Sequence, residues 1–329
     1  MTASLPMYSF GRRDGELGGC PSEPDGGCRR AGVDPTAHMR SGVAGAPQGV
    51  NRVTVPARPA QYLVPMPELT HLRLERPSEG VAVLTLDNPD QRNAMSDQMT
   101  ESWVAAVDEL AADRSLRAVV VTGEGSAFCS GGNTSWIASE PDASVDYLRT
   151  RMMAFYRAWL SIRKLEVPTI AAVNGPAIGA GLCLALACDI RYAAAGARLG
   201  APFVRLGMHA GMAGTWLLPN VVGEAHARDL LLTGRVVDAD EALRLGLVSR
   251  VIDPAAFGDE VLATAEGIAA TAPIASRLTK IALADGGHAD FESCLQWEAL
   301  AQPVTLATAD LQEGIRAARE KRAPAFTGE

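Results

Sequence analysis

Two glycine-rich turns hold the residue types that could do chemistry. One is Phe128-Cys129-Ser130-Gly131-Gly132-Asn133. The other is Asn174-Gly175-Pro176-Ala177-Ile178-Gly179-Ala180-Gly181, which runs into Leu182-Cys183-Leu184-Ala185-Leu186-Ala187-Cys188-Asp189-Ile190. Backbone N–H groups aimed at one oxygen stabilise the charge that a reacting carbonyl gains, and glycine keeps bulky side chains out of their way. Gly179-Ala180-Gly181 opens an apolar helical stretch, so its free N–H groups add the positive end of the helix dipole. A lone glycine turn reads as a tight turn. Two of them, each after a strand in the same domain, read as the halves of an oxyanion hole. No acidic residue falls inside either glycine turn or in the helical turn that follows. The chain is built to hold a carbonyl, with the usual proton-transfer groups absent.

Strands and helices must bring these turns together. Leu72-Arg73-Leu74-Glu75 alternates, and Val81-Ala82-Val83-Leu84-Thr85-Leu86 runs apolar until Asn88-Pro89-Asp90 breaks it. Ser96 precedes a helix in which Met99, Trp103, Val107 and Leu110 share one face. Ala118-Val119-Val120-Val121 and Thr169-Ile170-Ala171-Ala172-Val173 read as buried strands, the second feeding the Gly175–Gly181 turn. A helix is predicted over about 145–163, short strands near Ile190 and Leu199, and helices over 223–232, 238–245, 254–271, 273–284, 289–300 and 308–321. Asp238-Ala239-Asp240-Glu241 reads as a helix N-terminus, where negative charge is favourable. The second half reads as nearly all helical. The pattern predicts an α/β core over 67–253 and a helical C-terminal region over 254–329. Residues 1–66 read as a disordered extension, because Gly11-Arg12-Arg13-Asp14-Gly15 and Pro21 through Gly27 offer little to bury. Either Met66 is the true start or the upstream residues are a genuine tail.

Composition narrows the class. With 47% hydrophobic and 21% charged residues, the chain of 329 residues reads as globular. Its net charge of -8 argues against nucleic acid as a partner but allows an anionic small ligand. No apolar run is long enough to span a membrane, and the N-terminus lacks a signal core. A cytoplasmic location is expected by elimination. The six cysteines form no Cys-x-x-Cys pair, and no histidine stands at zinc-ligand spacing. Four of the cysteines read as small hydrophobes in apolar surroundings, and no metal is expected.

From about Leu72 to Phe326 the chain resembles the crotonase superfamily, the enoyl-CoA hydratases and isomerases. The likeness runs through Asn88-Pro89 to Arg92-Asn93-Ala94, Thr122-Gly123 to Asn133, and Ala171 to Asp189. It continues through Leu232-Thr233-Gly234 to Glu241-Ala242, Gly246-Leu247-Val248, Glu313-Gly314, Glu320-Lys321-Arg322 and Phe326. These motifs are ordered and spaced as in the family. The resemblance implies a spiral of ββα units with a helical C-terminal trimerisation region. It implies a homotrimer, often paired into a homohexamer, and an acyl-CoA ligand with CoA as part of the substrate and no separate cofactor. Matched residue by residue, Gly132 and Ala180 supply the two N–H donors. Gln91, Arg92, Ala94, Asn133, Thr134 and Gly179 lie along the substrate path.

Hydratases of this family use two glutamates, because water addition needs matched proton transfers on both sides of the double bond. The matching positions here are Cys183 and Phe203. Phenylalanine transfers no proton and becomes pocket wall. Cysteine could transfer one if the nearby helix N-terminus lowered its pKa, or Cys183 is a small apolar filler. His209, just past Gly207-Met208, could exchange a proton near neutral pH, or it lines the pocket. Asp189 reads as a structural anchor, Arg205 as a solvated charge, His226 as exposed, and Trp136 and Trp216 as core or pocket wall. Three functions follow. The chain is a lyase or isomerase of the enoyl-CoA hydratase/isomerase family, with hydration itself in question. Or it is a decarboxylase of an acyl thioester; Gly131-Gly132-Asn133 and Gly211-Met212-Ala213-Gly214-Thr215 resemble decarboxylating members. Or it binds acyl-CoA without catalysis.

Overall fold

The computed structural model describes residues 68–133, 135, 138–284 and 290–329, all within one compact unit that extends from Tyr62 to Glu329. The expected extension over 1–66 lies outside the described residues. Strands β1 (Leu72–Ser78) and β2 (Val81–Leu86) form an antiparallel hairpin. The sheet then continues in parallel through β3 (Ala118–Gly123), β4 (Thr169–Val173), β6 (Ile190–Ala194) and β9 (Arg250–Ile252), in the order β1-β2-β3-β4-β6-β9. Parallel neighbours need crossovers, and helices supply them. Between β2 and β3 runs α1 (Asp97–Ala112), capped where Ser96 Oγ accepts from the Met99 N–H at 3.2 Å. Between β3 and β4 runs α2 (Val145–Trp159), which tightens into a 3₁₀ turn over Leu160–Lys164.

Both faces of the sheet are covered, which is why its strands read as apolar runs. Val119, Val121, Ala171 and Val173 face one core with Met99, Trp103, Val107, Leu110 and Trp159. Trp103 stacks on Trp159 with ring centroids 5.0 Å apart. The alternate residues Ala118, Val120, Ile170 and Ala172 face a second core made with Phe257, Val261, Ala265 and Ala269 of α6 (Phe257–Ala269). The first helix of the C-terminal region is therefore part of the sheet's own core. Burying a side chain of this size contributes about 1.5–3 kcal/mol.

A second sheet, β5-β7-β8, positions the later glycine turn. Strand β5 (Ala177–Ile178) pairs in parallel with β7 (Arg198–Gly200), which pairs with β8 (Val236–Asp238). Helix α3 (Ala180–Ala187) starts two residues after β5 and is buried throughout. The second half is thus less helical than the sequence pattern predicts. The three-residue strands β8 and β9 escape a periodicity reading because they are too short to show one. Helix α4 (Gly214–Thr233) starts nine residues before the expected 223 and is broken at Gly223, whose φ of 75° and ψ of 164° are not helical. Pro219 sits within the first turns of the helix. Then follow α5 (Ala239–Arg244), with Asp238 as its cap, and α7 (Pro273–Leu283). The chain ends in α8 (Phe291–Leu306) and α9 (Ala309–Glu320). Helix α8 runs past Pro303, beyond the expected stop near 300.

Candidate active site

The two turns meet because side-chain amides pin the loops that hold them. Asn93 is fully buried, and its Nδ2 donates to the carbonyls of Glu124 at 3.0 Å and Ala127 at 2.8 Å, while its Oδ1 accepts from the Asn88 N–H at 2.9 Å. Asn174 ties the ends of β3 and β4: its Oδ1 accepts from the Gly123 N–H at 3.2 Å and its Nδ2 donates to Gly125 O at 3.0 Å. The turns then dock backbone to backbone. Ile178 N–H donates to Cys129 O at 2.9 Å, and Cys129 N–H to Pro176 O at 3.1 Å. Two glycines make this approach possible. A Cβ on Gly181 would lie 2.2 Å from Cys129 O, and one on Gly131, at φ +98°, would lie 2.7 Å from Ile178 O and 3.3 Å from the Ala180 nitrogen.

The first turn therefore stands against the start of α3. Met95 bridges it on the other side, donating to Gly131 O at 2.8 Å and accepting from the Asn133 N–H at 3.2 Å. In such a parallel bridge the middle residue, Gly132, turns its own N–H away from Met95. Ala180 is the first residue of α3, so its N–H has no intrahelical acceptor. Among the described residues, no backbone acceptor answers the N–H of Gly132 or Ala180. Gly179, at φ 58° and ψ −119°, sets the entry to the helix and is itself tied to Gly200 O at 2.8 Å.

The remaining predicted residues fall around this centre. Gln91, Arg92 and Ala94 lie beside the first turn: Ser130 N–H donates to Arg92 O at 3.0 Å and Asn133 Nδ2 to Gln91 Oε1 at 3.2 Å. Thr134 and Trp136 lie outside the described residues. Phe203 is buried in a 3₁₀ turn over Pro202–Leu206, with its ring edge 3.8 Å from where a Cβ on Gly179 would sit. His209 is exposed, and its Nδ1 lies 2.7 Å from Ala210 O. A carbonyl only accepts, so Nδ1 carries the proton and Nε2 is left open in the neutral ring.

Cys183 sits in the first turn of α3, fully buried, with its Sγ 3.6 Å from Gly211 O. The helix N-terminus does not lower its pKa. Burial pushes the thiol up to about 12, so the condition under which it could act as a thiolate base is not met. Cys129 and Cys188 are buried and raised to about 12 for the same first reason. Cys294 departs from the expected apolar setting: it is part-exposed on α8, with its Sγ 3.5 Å from Glu298 Oε1.

Other residues settle as structure. Asp189 accepts from Thr169 N–H at 2.7 Å and pairs with Lys280 at 2.8 Å. Arg205 donates to Thr233 O at 3.0 Å, and His226 is exposed on α4. Trp216 is not core: it is 43% exposed beneath the Arg163 guanidinium and lines a cavity of about 660 Å³ at the C-terminal end of α3, away from the glycine turns. Sequence reasoning did not single out Tyr156. It lies on α2 at helical spacing among core residues, with nothing in its spacing to mark it, yet its hydroxyl reaches the backbone of Gly211–Met212. Among the described residues, no three His, Cys, Asp or Glu side chains gather as a metal site.

A layered α/β spiral with two interlocked glycine turns at its centre defines a class, and comparison with known proteins names it. The profile described as Enoyl-CoA hydratase/isomerase matches residues 76–329. The chain is 41% identical over 246 residues to a Thermus thermophilus protein provisionally assigned as an enoyl-CoA hydratase, covering 75% of this chain and 97% of that one. It is 37% identical over 255 residues to (E)-benzylidenesuccinyl-CoA hydratase of Thauera aromatica, covering 76% and 97%. The solved enoyl-CoA hydratase of Bacillus anthracis superposes with a TM-score of 0.74 at 32% identity, covering 79% of this chain and all of that one. The chain belongs to the enoyl-CoA hydratase/isomerase family, and its fold is the crotonase fold that the sequence motifs imply.

Proposed function

We propose that this protein binds an acyl-CoA thioester with its carbonyl oxygen between the N–H groups of Gly132 and Ala180, and acts by stabilising the enolate formed there. The observation that supports this reading is the docking of Gly131 against the Ala180 nitrogen, with no backbone acceptor among the described residues for the N–H of Gly132 or Ala180. Removing one such donor typically costs about 2.7–4 kcal/mol of transition-state stabilisation. In this reading Gln91, Arg92, Ala94, Asn133, Thr134 and Gly179 line the CoA path, and the exposed Arg92 guanidinium suits a CoA phosphate. Phe203 walls the acyl end. The carrier is the substrate's own CoA, and the working form is a homotrimer or homohexamer in the cytoplasm.

The reaction is one that needs a cradle more than a base. Hydration calls for two carboxylates, and the two positions matched to them are a neutral buried thiol and a phenyl ring. Decarboxylation of a carboxylated acyl thioester has no such requirement. The C–C bond breaks, carbon dioxide leaves, and the electron pair passes into the enolate held by the two N–H groups. His209, with Nε2 open, remains a candidate for proton exchange during turnover.

Three assays on the full chain separate the readings. Crotonyl-CoA should keep its conjugated absorbance, whereas a malonyl-type thioester should release carbon dioxide. Fast loss of the enoyl absorbance would restore hydration as the reaction. Tight CoA binding with neither activity would leave a binding protein. The cradle itself is tested by Ala180→Pro, which removes one N–H at a helix position that accepts proline. Turnover should fall about 10²–10³-fold with the melting temperature little changed; unchanged turnover would overturn the cradle.

A further inference from the structure

If decarboxylation leaves an enolate on the cradle, a proton must reach its α-carbon, and neither Cys183 nor Phe203 is suited to give it. We infer that the phenolic hydroxyl of Tyr156 is the proton donor, an inference that rests on the enolate reading above. Tyr156 is half-buried on α2, its ring edge-on to Phe155 with centroids 6.3 Å apart, and Phe155 in turn packs against Trp159 of the Trp159–Trp103 stack. Its hydroxyl enters the loop before α4: a Cβ on Gly211 would lie 2.5 Å from it, so glycine at 211 is what admits it.

That loop is strained in a way that serves the hydroxyl. Met212 and Ala213 both have positive φ, 52° and 54°, a conformation that non-glycine residues seldom adopt. The Met212 backbone draws the phenol's pKa down, against the larger effect of burial. The same loop meets the cradle helix, since Cys183 Sγ lies 3.6 Å from Gly211 O, and Cys183 is near enough to Tyr156 for their charges to interact. Cys183 stands one turn along the helix that Ala180 opens, about 4.5 Å of rise. The α-carbon of a bound thioester is bonded to the carbonyl carbon, so its proton donor must approach from beside the cradle, and the loop that receives this hydroxyl meets the cradle helix at Cys183. Burial raises the Tyr156 pKa and keeps the proton on the oxygen until it is needed.

The step balances. Carbon dioxide departs and leaves the enolate; the Tyr156 O–H bond breaks as a C–H bond forms at the α-carbon. The phenolate left behind is favoured by the Met212 backbone. Water returns a proton to it, and the hydroxide so formed combines with carbon dioxide as bicarbonate.

The test is the face on which the proton arrives. Methylmalonyl-CoA is turned over by the full chain in deuterated water, and the configuration of the deuterated propionyl product is read by NMR. The wild type should place deuterium on one face. Tyr156→Phe should release carbon dioxide at least tenfold more slowly and deuterate both faces equally, because bulk water then supplies the proton. Tyr147→Phe, an exposed tyrosine on the same helix, should match the wild type. One-face deuteration at the wild-type rate in Tyr156→Phe would overturn the inference and leave the enolate reading standing. Absence of carbon dioxide release from the wild type would sink the decarboxylation reading and the inference with it.

Discussion

Three thiols, Cys129, Cys183 and Cys188, hold their protons far above the ordinary thiol value near 9.0, up to about 12, because burial disfavours the charged form. The consequence has a definite sign. Below about pH 9 folded and unfolded chains both carry these protons, and the contribution is fully present. Between that value and about 12 the unfolded chain releases protons that the native chain keeps, so stability falls as pH rises. The slope is about 1.4 kcal/mol per pH unit for each thiol. Urea unfolding should therefore show a lower midpoint at pH 10 than at pH 8, with a smaller drop in Cys188→Ala. An equal drop in that variant would mean that Cys188 ionises as easily in the native state as in the unfolded one.

At the scale of elements, the docking of the two turns is the feature under tightest steric control. Gly181→Ala places a Cβ 2.2 Å from the Cys129 carbonyl, which is backbone and cannot swing away. The turns must separate, and we expect a loss of about 2–3 kcal/mol together with most of the turnover. Gly196→Ala meets nothing within 4 Å and should be nearly neutral in the same thermal melts. A Gly181→Ala chain with native stability and turnover would show that the turns tolerate separation. The glycines that make this contact were legible in the sequence as runs. Their partners were not, because Gly181 faces a carbonyl 52 positions earlier in the chain.

The whole molecule leaves apolar surface uncovered at its C-terminal end. Among the described residues, α7 and α8 bury no side chain, and Leu283, Phe291 and Leu300 are 72%, 77% and 72% exposed. Helices of this length gain most of their stability from packing an apolar face. Further copies of the chain would supply that packing, so light scattering should give three or six times the 34.6 kDa chain mass. Phe291→Glu combined with Leu300→Glu should shift it toward the monomer. A wild-type monomer at micromolar concentration would refute the trimer.

Sequence alone determined the α/β layering and the two glycine turns. These follow from local rules: apolar runs for strands covered on both faces, and glycine where the backbone must come close. It also marked helix starts at Ser96 and Asp238, both of which serve as caps, since a cap acts within three residues. What only the tertiary structure decided is non-local. Burial, not the helix end, sets the Cys183 thiol, and no motif announces how deeply a residue lies. The short strands β8 and β9 exist because β7 and β6 offer them edges. The Tyr156 hydroxyl reaches the Gly211–Met212 loop across 55 positions of chain, a proximity that helical spacing cannot express.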